Sequence, residues 1–182
     1  MVSGDALKSL ADYLRPGLRV LSIGLNPSLG SVAAGFYFAN PRNRFWPALS
    51  ASGLAPPGTA PGADAIRLLF EEHGMGFTDV VKRPSAGGAS LRAADFARFA
   101  PELRHKLMEH RPRVAWFHGK QAYHGYLRYG EGRQPAGDWG AQPDLSACRV
   151  FVTPNPSPAN AVYSLADITE WYRRLVVFAG GS

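Results

Sequence analysis

The sequence predicts an α/β protein, a three-layer α/β/α sandwich with a mostly parallel central sheet. Three observations carry this. Residues 18–23, 113–117 and 148–152 are short, mainly apolar runs without the alternation of a half-exposed strand, so they suit strands covered on both faces. Segments with apolar residues at helical spacing separate them, as parallel strands joined by helical crossovers require. Two of the strands run into the same turn, Asn26-Pro27-Ser28 and Asn155-Pro156-Ser157, and strand ends in an open α/β sheet converge on the ligand crevice.

Residues 5–14 carry apolar side chains at helical spacing and stop at Pro16-Gly17, which predicts an opening helix. Residues 18–23 form the first strand, central because both of its faces are apolar. Asn43 is placed to cap a helix that runs through Ser52 and stops at Gly53, with Pro47 tolerated in the first turn. Residues 55–62, with Pro56-Pro57-Gly58, read as a surface loop, and 64–73 as a helix stopped by Gly74. Residues 76–81 read as a short strand or extended segment and 85–90 as a Gly-rich loop. A helix follows over 95–110, with Pro101 either near its start or dividing it. Residues 113–117 are a buried strand, 119–129 a helix, and 130–144 irregular with Trp139 packed on it. The last long strand is 148–152. The closing helix is 164–178, with Leu165, Ile168, Trp171, Tyr172 and Leu175 on one side. No internal repeat or linker divides the chain, so one domain over residues 1–182 is expected.

Hydrophobic residues make up 46% and charged residues 19% of the chain, which excludes a disordered polymer. The formal charge is +6 at pH 7, and sixteen of the twenty basic residues are Arg, a bias that suits bidentate phosphate contact. One cysteine, Cys148, rules out internal disulfides and four-Cys metal sites, and the five histidines fall in no metal-binding spacing. No metal or organic cofactor is expected. The N-terminus lacks a secretory apolar core and no apolar run is long enough to span a bilayer. A cytoplasmic monomer with no membrane partner is expected.

The chemistry-bearing residues cluster around the first turn. Two amide-bearing loops facing one crevice suit an uncharged polar ring such as a nucleobase. Between them, residues 35–46 are dense in aromatics and arginine, the composition found where bases stack and phosphates are neutralised. A carboxamide is a poor base, so Asn26 can only orient a nucleophile. That suffices when the leaving group departs first, as in N-glycosidic cleavage. Asp79 reads either as a solvated strand-end carboxylate or as a general base better than an amide. The first turn is not GxGxxG and no phosphate-binding Walker motif exists, which argues against a nucleotide-dependent enzyme. A non-catalytic nucleic-acid-binding module remains the other reading.

The stretch GLNPSLGSVAAGFYFANPRNRFW at 24–46 resembles the first motif region of the mismatch-specific uracil/thymine DNA glycosylase family, within the uracil-DNA glycosylase superfamily. GFTDVVKRP at 76–84, VAWFHGKQAY at 114–123 and VTPNPS at 152–157 match further motifs in the same order. The resemblance implies a uracil-DNA glycosylase-like fold and a monofunctional enzyme that flips uracil, or a deaminated or mismatched base, out of DNA. It implies that Asn26 positions the attacking water, that Phe38 stacks on the base and that main chain around Leu25 and Phe38 meets its edge. Ser31 would lie beside C5 of the ring. The family varies at Asp79, where many members carry Asn or Lys, so Asp79 is expected as an auxiliary or alternative catalytic residue. Arg42, Arg44, Lys82, Arg83 and the second loop, Asn155, Ser157, Pro158, Ala159 and Asn160, are expected to contact DNA. The family places a bulky apolar wedge and an arginine after its second Asn-Pro-Ser. Here Pro158, Ala159, Asn160 and Ala161 stand instead, similar to the Pro-Ser-Pro loop of the single-strand-selective branch, which implies a weaker dependence on the opposite guanine.

Overall fold

In the computed structural model, which describes residues 8–135 and 137–180, every residue of the first three strands is buried, as the apolar runs of the first and third require. The strands are β1 (Val20–Gly24), β2 (Met75–Asp79), β3 (Val114–His118), β4 (Gly140–Gln142) and β5 (Arg149–Thr153). They form one sheet in the order β2-β1-β3-β5-β4. The first four in that order run parallel, and β4 is antiparallel to β5.

Alternate side chains of each strand feed two separate cores. Val20, Phe77, Val114, Trp116 and Phe151 face one side, beneath α2 (Phe45–Ser52), α3 (Ala63–His73) and α6 (Leu165–Gly180). Leu21, Ile23, Ala115, Phe117, Val150 and Val152 face the other, beneath α4 (Ala93–His110) and α5 (Lys120–Tyr126). The three-layer sandwich expected from the sequence is therefore present. Most boundaries fall within about two residues of the pattern.

Four local readings differ. The helix expected at 5–14 is not formed over its described part, residues 8–14. Tyr13 instead exchanges backbone hydrogen bonds with Phe77 (2.8 and 3.1 Å), forming an antiparallel bridge. The reason is that β2 is an edge strand with unpaired backbone groups, and the arm covers them. A short helix, α1 (Leu29–Ala34), follows the first turn; the Ser28 side chain caps it and Gly35 closes it at φ +83°. The expected irregular region contains β4, where Gly140, at φ +91°, lets the backbone lie against Trp171 and Phe151. Pro101 sits inside α4 and does not divide it.

Beyond β2, Val80 and Val81 leave the sheet but still donate backbone hydrogen bonds to Gly24 and Leu25 (2.9 and 3.0 Å). This ties the loop after β2 to the loop after β1 and fixes both mouths of the future cleft.

The α4–α5 contact depends on Gly125, where a Cβ would lie 2.3 Å from a ring carbon of Phe96. Gly125→Ala is expected to destabilise the fold by about 1–3 kcal/mol through overpacking, read as a lower denaturant midpoint. Adding Phe96→Leu should recover part of the loss, and an unchanged midpoint in the single variant would refute the packing argument.

Candidate active site

The chain passes from β1 to β2 on one side and then to β3 on the other, so the topological switch lies between the carboxyl ends of β1 and β3. A cleft of about 150 Å³ opens there. It is lined by Leu25, Asn26, Ser31, Phe38, Asp79, Asn155 and Ser157, so the structure brings together most of the expected catalytic and base-binding residues.

Asn26 leaves β1 with its amide group committed. Nδ2 donates to the Arg83 carbonyl (3.0 Å) and to Ser85 Oγ (2.7 Å). Those bonds use both amide protons and leave Oδ1 as the atom available to the cleft. Ser31 is held in α1 by Ser28 and by the backbone N–H of Ala39. Phe38 adopts φ +58°, a left-handed conformation uncommon for an aromatic residue. Its ring stacks on Phe45 at 3.9 Å, and its carbonyl accepts from the Trp46 indole at 3.1 Å. The half-buried ring is thus pinned by Phe45, and Phe38 lines the cleft.

Asp79 ends β2 and is 4% exposed, so it is not the solvated carboxylate that a strand end allows. Burial pushes its carboxyl up to about 6, opposed by Lys82, whose ammonium lies 3.6 Å away. Gly24, opposite in register, makes room: a Cβ there would lie 2.5 Å from Asp79 Oδ1.

Asn155 follows β5 and folds its loop locally. Its Oδ1 accepts from Ser157 N (2.8 Å), and its carbonyl accepts from Asn160 Nδ2 (3.0 Å). Gly119, at φ +93°, gives Asn155 space, since a Cβ there would stand 3.3 Å from that of Asn155. Pro158 and Ala159 form the exposed apex.

Three of the basic side chains expected on DNA are committed elsewhere. The Arg44 guanidinium lies under the second loop and donates to the carbonyls of Pro156, Ser157, Asn160 and Tyr163. Arg83 makes a two-pronged pair with Asp95 (2.7 and 2.8 Å). Lys82 is held by Asp12 at 2.9 Å. In each case the nearest acceptors belong to the protein, and the charge serves loop geometry. Arg42 is exposed.

Sequence reasoning missed four contributors. His118, at the end of β3, lines the cleft and is almost wholly buried, hydrogen-bonded to Ser22 (2.8 Å) and packed against Phe38 and Trp116 (centroids 5.1 and 4.2 Å). Burial pushes its imidazole down to about 3, so it is neutral in ordinary buffers. Its sequence signals were its place as a polar residue ending an apolar strand and inside the family-like stretch 114–123, and neither marked it as a cleft residue. Ser85 and Asn43 also line the cleft, the one orienting Asn26 and the other accepting from Phe45 N (2.9 Å). Val162, 82% exposed on the loop that Arg44 grips, had no signal at all.

A family model described as the uracil DNA glycosylase superfamily matches residues 11–177. Among solved structures, the fold is similar to the solution structure of a candidate uracil DNA glycosylase from Methanosarcina acetivorans. The TM-score is 0.59 at 22% identity, over 93% of this chain and 98% of that one.

The two buried titratable groups predict opposite pH effects on stability. Asp79 binds its proton more tightly when folded, so its contribution is whole below about pH 3.8 and is lost as pH rises through about 6. His118 folds neutral, so its contribution is whole above about pH 6.5 and is lost as pH falls towards about 3. Relative to wild type, His118→Phe should therefore gain stability as pH is lowered from about 7 to about 4.5, and Asp79→Asn should gain as it is raised. Denaturation across that range checks both; a constant offset in either variant would overturn its assignment.

Proposed function

This chain belongs to the uracil DNA glycosylase superfamily, and from that premise we propose that it is a monofunctional DNA glycosylase. It takes uracil from G·U mismatches and from single strands and leaves an abasic site for base excision repair. The observation that supports this reading best is the cleft itself. It sets Asn26, with Oδ1 uncommitted, in one small space with a buried carboxyl and a pinned aromatic ring.

In the proposed reaction, the target base is extruded from the stack, at a cost of a few kcal/mol that is least at a mismatch. It enters between Phe38 and the first loop, with Ser31 beside its C5 edge. The N1–C1′ bond breaks and its electron pair leaves with uracil as an anion. A water held by Asn26 Oδ1 attacks the cationic C1′, and its proton passes to the Asp79 carboxylate or to solvent. A carboxylate near the sugar also stabilises the developing positive charge. Free uracil and an abasic site result, with no metal or organic cofactor in the scheme. Arg42 and the second loop meet the DNA backbone, where contacts position the duplex without reading its sequence.

The second loop offers little at its Pro158-Ala159 apex to fill the space of an extruded base. Val162 is the exposed apolar side chain of the same loop, and Arg44 holds its backbone in place. We assign the filling of the gap to Val162. A valine is smaller than a base, so the duplex is only partly supported and single-stranded uracil stays a good substrate.

Asn26→Ala is expected to lower single-turnover uracil excision by about 10²-fold or more while DNA affinity changes little, because the amide acts on the nucleophile. Wild-type rates in that variant would remove Asn26 from the centre of the mechanism. If Asp79→Asn abolishes excision and Asn26→Ala does not, the two roles are exchanged.

For wild type, uracil opposite G, opposite A and unpaired should be excised within about tenfold of each other, a spread of roughly 1.4 kcal/mol. Val162→Ala should slow excision from duplexes and leave the single-stranded rate unchanged. Equal losses on both substrates would show that Val162 does not support the opened duplex.

A further inference from the structure

The network beside Asp79 shows more than a buried acid needs. Lys82 Nζ lies 2.9 Å from Asp12 Oδ1, 3.3 Å from the Tyr37 hydroxyl and 3.6 Å from Asp79 Oδ2. The last distance is an ion pair without a hydrogen bond, and Asp79 Oδ2 is buried with no hydrogen-bond partner among the described residues. Asp12 is itself fixed, by Thr78 Oγ1 at 2.7 Å and by Lys106 Nζ at 2.6 Å. Its position does not depend on Lys82. The arm that carries it is anchored by the Tyr13–Phe77 bridge, by Tyr37 donating to the Ala11 carbonyl (2.9 Å) and by Ser9 donating to the Lys82 carbonyl (2.7 Å). Leu10 of the same arm lines the cleft.

We propose that Asp12 is a positioning residue for Asp79: it holds the Lys82 ammonium off the Asp79 carboxylate and so keeps that carboxylate free to work in the cleft. The proposal rests on the reading of Asp79 as a working group of the active site. The arm over residues 9–13 then belongs to the catalytic apparatus, although only Leu10 of it lines the cleft.

The physical argument is a competition for one cation. With Asp12 present, Lys82 is hydrogen-bonded to Asp12 and acts on Asp79 only through space. With Asp12 neutralised, Asp79 is the carboxylate left within reach of Lys82, and the 3.6 Å gap closes to a hydrogen-bonded pair. A paired carboxylate is a weaker base and a weaker stabiliser of a cationic sugar. Loss of the Asp12 charge acts in the same direction, because Asp12 raises the Asp79 carboxyl while Lys82 and Lys106 lower it. The titratable and charged groups around Asp79 are thus Lys82 beyond β2, Asp12 of the arm, Lys106 of α4 and Tyr37 beyond α1. His118 of β3 shares the cleft and is neutral.

The test titrates Asp79 directly in the free, full-length protein by carboxyl carbon NMR, its signal assigned by loss in Asp79→Asn. The same variants are then assayed for single-turnover uracil release across pH. Wild type should show an Asp79 midpoint, and an acid limb in its rate, near pH 6. Asp12→Asn should move both down by about one pH unit, and Lys82→Met should move both up by about one unit. Asp12→Glu and Lys82→Arg, which keep the charges, should stay near wild type. A midpoint unmoved in Asp12→Asn, or a rate lowered equally at every pH, would reduce Asp12 to an anchor of the arm and overturn the proposal. If the midpoints move as stated but wild type releases no uracil, the positioning role stands and the substrate assignment fails.

Discussion

A carboxyl group buried at the end of β2 constrains everything around the cleft. Desolvating a carboxylate costs several kcal/mol unless charge or hydrogen bonds compensate. Asp79 receives only partial compensation: Lys82 stands close, but one of its oxygens has no hydrogen-bond partner among the described residues. The neighbouring sequence follows from that. Gly24 cannot carry a side chain, because the carboxyl occupies the space. Thr78 and Lys106 hold Asp12 where it competes for Lys82. The arm must run extended along β2 to deliver Asp12, and a helix there would leave the sheet edge open and Lys82 unshared. Under-compensated carboxyls of this kind cluster at functional sites, which supports the proposed role of Asp79.

The basic surface has a second layer of meaning. From sequence Arg44 is expected on phosphate, yet it spends its guanidinium on four carbonyls of the second loop. Those carbonyls belong to a turn with no regular secondary structure, whose backbone acceptors need partners. The planar fork of arginine satisfies several at once, which the point charge of lysine would not. The loop is thereby pre-ordered, so in the proposed function the entropy of ordering it is not charged to DNA binding. The net charge of +6 can still steer an anionic partner over distance without Arg44 touching it.

How much of this was legible in the sequence depended on whether a residue's role was local. Strands β1, β3 and β5 were legible because burial on both faces leaves an unbroken apolar run. Asn26 and Asn155 were legible because their turns follow strand ends, where the fold gathers ligand-binding residues, and Phe38 only through the resemblance of residues 24–46 to the family motif. The arm was misread because Leu10 and Tyr13 satisfy helical spacing, while the force that extends them comes from an edge strand more than sixty residues away. β4 was invisible because three residues starting at a glycine carry no periodic signal. Arg44, Lys82 and Arg83 looked like a phosphate rim because a sequence shows charges without their partners. His118 looked like any histidine, since only the tertiary fold surrounds it with Phe38, Phe45 and Trp116.

His118 also bears on how the cleft handles charge. Ser22 Oγ has no hydrogen-bond partner other than His118 among the described residues. If the hydroxyl donates to Nε2, only the Nδ1–H of the ring is left without a partner. If Nε2–H donates instead, both the serine proton and Nδ1 are left. The first arrangement leaves fewer orphans, so the favoured tautomer carries its proton on Nδ1. The cleft therefore pairs a neutral imidazole with a carboxyl that burial pushes up to about 6. In the proposed reaction, groups pushed apart in this way can divide the labour between them. An anionic leaving group is repelled by a carboxylate and tolerated by a neutral ring, whereas a cationic sugar prefers the reverse. In the proposed reaction the base therefore sits toward the His118 wall and the sugar toward Asp79.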